Sequence, residues 1–221
     1  MNTLELVFPL IAAHPIPSDH GYLLYGAVTQ CLPELHDGEK KLAIHPIRGQ
    51  QVGNRLIQLT DQSQLVLRVP DGEVAPLLKL AGQALRIGAT SVRVGVPQVR
   101  GLIPATVLRS RLVTIKIVGT KAAALTPELF LNAARRRLTK MGLSDQIQLT
   151  IPTRTGPEAD AKPVPQRRTM RVHDVEIVGY ELIAEGLTAE ESFTLQIEGL
   201  GGKRHMCCGV FVPVIEKGGA P

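Results

Sequence analysis

Apolar residues recur along this chain with two different periods. Short runs rich in branched side chains, of strand length, alternate with stretches in which apolar residues return every third or fourth position, the spacing of one helix face. Leu4 to Ile11 is a run of the first kind, closed by His14-Pro15-Ile16-Pro17. Leu23, Leu24, Ala27, Val28 and Cys31 follow with helical spacing. Asp19 stands where a cap belongs, and Pro33 predicts the end of that helix, because the residue before a proline avoids helical dihedrals. Residues 42–47, 55–59 and 65–69 read as strands, 74–84 as a second helix and 91–99 as a further strand. The second half repeats the order. Residues 107–118 are β-branched and alternating, and Thr126-Pro127-Glu128 opens a helix running to about Met141. Strands are predicted at 147–151, 169–172 and 175–183, a capping box at Thr188-Ala189-Glu190-Glu191, and a closing strand at 206–214. Residues 152–166, rich in Pro, Gly and charge, read as a mobile loop. Each half spells β-α-β-β-α-β, so the expected class is α+β, with two tandem ferredoxin-like (RRM-like) halves at 1–102 and 103–221.

Composition narrows the function classes. The chain has 221 residues, of which 44% are hydrophobic, enough for a packed core rather than a disordered chain. Aromatics make up only 3% and Trp is absent, which argues against a protein that stacks many bases on aromatic platforms. A net charge of +5 favours an anionic partner. Cys31, Cys207 and Cys208 form neither a zinc motif nor a disulfide framework, so no metal or cofactor is expected and a reducing compartment is. No apolar run of about 18 residues and no basic leader at the start are present, so a cytoplasmic protein without membrane association is expected.

The richest chemistry lies near the end. Gly199, Gly201, Gly202 and Gly209 surround Lys203-Arg204-His205. Glycines allow positive φ and close backbone approach, and successive N–H groups in such a loop can cradle an anion, with Lys and Arg adding full charge. A tight turn with a solvated tip is an equal reading of the same residues. In the helix after Thr126, rotation by 100° per residue gathers Phe130, Ala133, Ala134, Leu138 and Met141 on one face. Asn132, Arg135, Arg136, Thr139 and Lys140 fall on the opposite side, with the stem of Arg137 over the apolar face.

The tandem architecture and the glycine loop before the last strand resemble the CRISPR-associated repeat-processing endoribonucleases, the sixth Cas family of the repeat-associated mysterious protein superfamily. Asp19-His20-Gly21-Tyr22, Leu32-Pro33-Glu34-Leu35-His36 and the run Gly199 to Met206 look like one compact branch of it. The resemblance implies metal-independent cleavage of precursor RNA into guide RNAs, by attack of the RNA's 2′-OH on the adjacent phosphorus to leave a 2′,3′-cyclic phosphate. It places the catalytic His at the end of the first helix, which is His36. Tyr25 would orient substrate or nucleophile, and Lys40 or Lys41 would neutralise the phosphorane. His45 is the rival imidazole, and His20 reads as structural. RNA contacts are expected from Asn132, Arg135, Arg136, Arg137 and Lys140, from Arg167 and Arg168, and from Gly199, Gly201, Gly202, Lys203, Arg204 and His205. Arg154, Arg109, Arg111 and Thr169 are weaker candidates. The implied partners are a CRISPR repeat hairpin and other effector-complex subunits. Two rival readings stay open: a non-catalytic RNA-binding subunit, and a small-molecule enzyme on the same scaffold.

Overall fold

The computed structural model describes residues 2–36, 42–120, 122–155 and 162–214. It divides into two compact units. The first takes Met1–Leu102 together with Met170–Val175 and Lys203–Cys208; the second takes Ile103–Thr169, Glu176–Gly202 and Gly209–Pro221.

The first unit is built on an antiparallel sheet whose order is Ala43–Ile44, Gln64–Pro70, Thr3–Ile11, Thr90–Val94 and Ala84–Ile87, with Gln98–Gly101 also paired to Thr3–Ile11. The central strand lies opposite Gln64–Pro70 in continuous register, Leu6 against Leu67 and Phe8 against Leu65. These apolar pairs, all buried, form the sheet's core face. Helix α1 (Gly21–Cys31) buries Leu24, Tyr25, Ala27 and Val28. Asp19 does not cap it: the cap position is His20, and the Asp19 carboxylate accepts the Arg171 N–H at 2.9 Å. The predicted helix over 74–84 is cut to α2 (Val74–Leu77) and a 3-10 turn, Leu78–Leu80. Ala81 is already extended and Gly82 has φ +81°, which turns the chain into a hairpin. Leu85, Ile87, Val92 and Val94 are buried with period two there, so the pattern of a strand overrides that of a helix.

Glu5, on the central strand, is buried between two guanidinium groups. Arg68 donates to its Oε1 from Nε (3.1 Å) and Nη2 (2.7 Å), and Arg100 to Oε2 from Nε (3.0 Å) and Nη2 (2.6 Å). Burial alone would raise this carboxyl; His45 and Arg68 outweigh burial and hold it well below the usual range. The His45 Nε2 lies 3.2 Å from Glu5 Oε1, off the line of a hydrogen bond. Burial pushes the His45 imidazole down from 6.5 to about 4, Arg68 adding to burial and Glu5 opposing it. The unfolded chain therefore takes up this proton first. The contribution to stability is complete above the unfolded value and is lost as pH falls from 6.5 toward 4. Between pH 7 and pH 5 about 2 kcal/mol of this is lost, and urea midpoints at the two pH values are expected to differ accordingly. His45→Gln, which does not titrate, is expected to remove most of that slope.

The second unit has the sheet order Gln148–Thr150, Val175–Glu185, Val107–Val113 and Val212–Pro213, with Arg167–Val172 paired to Val175–Glu185. Helix α3 (Pro127–Lys140) begins as its sequence predicts: the Thr126 side chain accepts the Leu129 N–H, and Pro127 sits in the first turn. It buries Phe130, Ala133, Ala134 and Leu138 in a cluster that includes Tyr180, Leu182 and Phe211. Helix α4 (Ala189–Glu198) carries the complete Thr188–Glu191 capping box. Glu181 is clamped like Glu5, by Arg109 and by Arg168 Nη2 at 2.9 Å. Within the predicted loop 152–166, Thr153–Arg154 pairs with Val164–Pro165; residues 156–161 lie outside the described residues. The predicted closing strand 206–214 is reduced to Val212–Pro213, because Arg204–Met206 forms a 3-10 turn and Cys207 and Gly209 take positive φ.

In the first sheet Thr3–Ile11 lies between Gln64–Pro70 and Thr90–Val94, with Ala43–Ile44 outside Gln64–Pro70; in the second Val107–Val113 lies between Val175–Glu185 and Val212–Pro213, with Gln148–Thr150 outside Val175–Glu185, the order of a ferredoxin-like unit. The expected α+β, tandem ferredoxin-like class is the observed one, with the second helix of the first unit reduced to about two turns. Among the described residues no helix is long and apolar enough to cross a membrane.

Candidate active site

In the first unit, α1 is the platform on which distant segments converge. At Gly21 a Cβ would stand 2.4 Å from the Met206 carbonyl oxygen, so only glycine lets segment 203–208 lie against the start of the helix. That segment is a 3-10 turn, Arg204–Met206, flanked by Lys203 (φ +64°) and Cys207 (φ +65°). Left-handed backbone at two non-glycine residues costs about 1–3 kcal/mol each and persists only where packing imposes it. Three hydrogen bonds close the turn: Met206 N–H and Cys208 N–H to the Lys203 carbonyl at 2.9 and 3.1 Å, and Cys207 N–H to the Arg204 carbonyl at 3.3 Å. The Cys208 thiol rests 3.8 Å from the Met170 sulfur.

The turn sets the half-buried His205 imidazole on the Tyr25 ring, with centroids 4.5 Å apart and planes tilted by 54°. Tyr25 itself is only 4% exposed. One turn earlier on α1, the Tyr22 hydroxyl lies 2.9 Å from His173 Nε2, and their rings are 5.0 Å apart. His173 has φ +52° and belongs to segment 170–175 of the same unit. Neither ring pair is visible in the sequence, since the partners of the second are 151 positions apart. The irregular φ at Lys203, Cys207 and His173 is a backbone property without a local sequence signature.

His20 and His45 are committed elsewhere. His20 is 2% exposed; its Nδ1–H donates to the Pro17 carbonyl at 2.9 Å and its Nε2 accepts the Ile47 N–H at 2.9 Å. His45 is buried against Glu5. Neither offers an imidazole to a substrate, which removes the rival to His36 and supports the structural reading of His20. Thr29 is buried, its hydroxyl donating to the Tyr25 and Gly26 carbonyls. His36 closes the 3-10 turn Pro33–His36 directly after α1. Its side chain, Lys40 and Lys41 lie outside the described residues. Ala43–Ile44, the next described strand, packs beside the Arg204–Met206 turn.

In the second unit the glycines of the loop serve tertiary approach. A Cβ on Gly201 (φ +89°) would meet the Thr114 carbonyl oxygen at 2.2 Å, and one on Gly209 (φ +65°) the Leu200 carbonyl oxygen at 2.2 Å. The N–H groups of Gly202 and Gly209 bond to the Thr114 and Leu112 carbonyls at 3.1 and 2.7 Å, and that of Leu200 to the Gly209 carbonyl at 3.1 Å. Gly199 ends α4 with φ +65°. These N–H groups donate to carbonyls and not to an anion.

On α3, Asn132, Arg135, Arg136, Arg137 and Lys140 are all exposed. Arg167 reaches the Ala122 carbonyl at 3.2 Å, and half-exposed Arg168 is held on Glu181. With Arg154, Val164, Pro165 and Gln166 they line an open cavity of about 340 Å³. Among the described residues no three His, Cys, Asp or Glu side chains are grouped to hold a metal ion.

The model of the Cas6 Crispr family matches residues 4–216. A relative from Myxococcus xanthus (strain DK1622), named CRISPR-associated endonuclease Cas6, is 34% identical over 213 residues, spanning 96% of this chain and 82% of that protein. A solved structure titled CRISPR associated protein Cas6 superposes with a TM-score of 0.66 at 15% identity, covering 97% of this chain and 99% of the other. The Cas6-related gene product from Pyrococcus furiosus gives a TM-score of 0.64 at 17% identity, covering 98% and 99%. With a family model spanning nearly its whole length, an endonuclease relative at this identity and the tandem ferredoxin-like fold in common, the chain belongs to the Cas6 family.

Proposed function

We propose that this chain is a metal-independent endoribonuclease that binds the stem-loop of CRISPR repeat RNA and cuts the precursor into guide RNAs. The observation that carries this reading is the match to a Cas6 endonuclease over 96% of the chain. Solved structures sharing the fold are titled Cas6 product complex and Cas6 substrate mimic complex, with TM-scores of 0.53 and 0.52.

Strand scission needs an acceptor for the 2′-OH proton, a donor for the 5′-oxygen and positive charge at the crowded phosphorus. His36 takes the proton from the 2′-OH, and Lys40 or Lys41 supplies charge. The exposed face of α3 (Asn132, Arg135, Arg136, Arg137 and Lys140) lies along the stem, where shape and phosphates dominate recognition. Lys203, Arg204 and His205 hold the backbone near the cut, with Gly199, Gly201 and Gly202 shaping the loop beneath them. Arg167 and Arg168 line a cavity suited to the base of the stem. The protein acts in the cytoplasm and stays on its product, handing it to effector subunits.

A labelled repeat hairpin incubated with the protein in EDTA is expected to be cut once, leaving a 2′,3′-cyclic phosphate, and a 2′-deoxy substitution at the cut is expected to block the reaction. Affinity should fall steeply as salt rises. Cleavage lost in EDTA would refute the assigned chemistry, and salt-sensitive binding without cleavage would favour the non-catalytic subunit.

A further inference from the structure

The sheet of the second unit has one face packed on helix α3 and one that turns away from it. Leu108, Tyr180, Leu182 and Ala184 belong to the core cluster with Phe130, Ala133, Ala134 and Leu138 of α3. Side chains alternate along a strand, so Glu181 falls on the other face. Arg109, next to Leu108 and in register with Ile183, falls there too. The Glu181 N–H donates to the Gln166 carbonyl at 3.0 Å, which brings the chain leading into Arg167–Val172 beside it. Glu181 is 1% exposed, yet each of its oxygens is taken by a guanidinium that reaches solvent. Arg109 donates to Oε1 from Nε at 2.6 Å and from Nη2, and Arg168 donates to Oε2 from Nη2 at 2.9 Å. The Arg109 side chain is 53% exposed and that of Arg168 35%. Among the described residues Glu181 is the one carboxylate that pairs with either. A guanidinium carries five N–H donors, so each arginine keeps an edge turned away from the carboxylate. Arg168 also lines the open cavity with Arg154 and Arg167.

We propose that Glu181 is a positioning residue for RNA binding: it holds Arg109 and Arg168 together as a preformed fork for backbone phosphate. The inference rests on the RNA-binding reading above and adds Arg109 to the contacts. Two guanidinium groups on one face repel, and a carboxylate between them offsets that repulsion. An arginine loose in water gives up rotamer freedom when it grips a phosphate; one already held gives up less. The planar fork allows both bonds at once, one edge on the carboxylate and another on a phosphate oxygen. Two cations against one anion leave the cluster positive, so it still attracts RNA. The Glu5 clamp differs, because its Arg68 is buried and serves the fold. The Glu181 clamp leaves both of its arginines within reach of a ligand.

The test is binding of a labelled repeat hairpin, 2′-deoxy at the cut, across a salt series. Arg109→Ala and Arg168→Ala are each expected to weaken binding about tenfold and to lower the slope of log Kd against log salt by about one. Glu181→Gln keeps the shape and one acceptor, enough for one guanidinium only. Charge and position give opposite signs here. Removing a negative charge would tighten binding to RNA, whereas loss of the clamp should weaken it by about three- to tenfold. In an Arg109→Ala/Arg168→Ala background the same substitution should not weaken binding at all, since nothing is left to aim. Urea midpoints show whether each variant is folded at the assay temperature. Arg168→Lys tests the fork without touching Glu181: it keeps the charge, and a weakening close to that of Arg168→Ala is expected. Tighter or unchanged binding by folded Glu181→Gln overturns the proposal, as does an equal loss in the double-arginine background. Wild-type affinity in Arg168→Lys or in either alanine variant overturns it whether or not Glu181→Gln folds. Wild-type protein with no salt-sensitive affinity for the hairpin overturns the RNA-binding reading itself, and this inference with it.

Discussion

Replacing His36 by alanine is expected to abolish cleavage and leave binding of the repeat hairpin intact. Losing a general base costs about 10²–10⁴-fold in rate. The bound state should survive, because the proposed RNA contacts lie on the arginines of α3, the basic loop and the cavity around Arg167. His20 has both ring nitrogens bonded to backbone, and His45 is buried on Glu5, so neither is expected to replace it. Single-turnover cleavage and filter binding of the same labelled hairpin at one salt concentration give the answer together. Retention of more than about a tenth of the wild-type rate would exclude His36 as the base, since a tenfold loss lies below the range for such a group.

Glu5→Ala is expected to be the most damaging single substitution outside the glycine contacts. The carboxylate is 4% exposed and Arg68 is 1% exposed, so its removal leaves a buried guanidinium without its counter-charge. Breaking a buried pair from one side costs about 3–5 kcal/mol. Arg100→Ala should cost far less, because that side chain is half in water and its pairing is screened. Urea unfolding of the three proteins at pH 7 tests the ranking; equal midpoints for Glu5→Ala and wild type would contradict it. Glu181 in the second unit has the same arrangement, but Arg109 and Arg168 are both more exposed than Arg68, and a smaller loss is expected there.

The order of elements was legible because it is written in local chemistry. Thr126-Pro127 and Thr188-Glu191 satisfy their own helix ends within four residues, so those boundaries could be read from the chain. The buried face of α3 followed from a period of 3.6 for the same reason. Reading failed where a partner far along the chain competed. Asp19 gave up the cap for the Arg171 N–H. The loop glycines, read as an anion cradle, proved to be points where one backbone stands against another.

The local pattern of apolar spacing, caps and turn residues was sufficient for two ferredoxin-like halves, and the motifs around His36 and the glycine loop for the family. The pairing of Tyr25 with His205, the withdrawal of His20 and His45, and the clamps on Glu5 and Glu181 were settled only when the chain folded. Each joins residues separated by many positions, and burial there, which no local pattern encodes, decides which polar groups are spent on the fold and which remain for RNA.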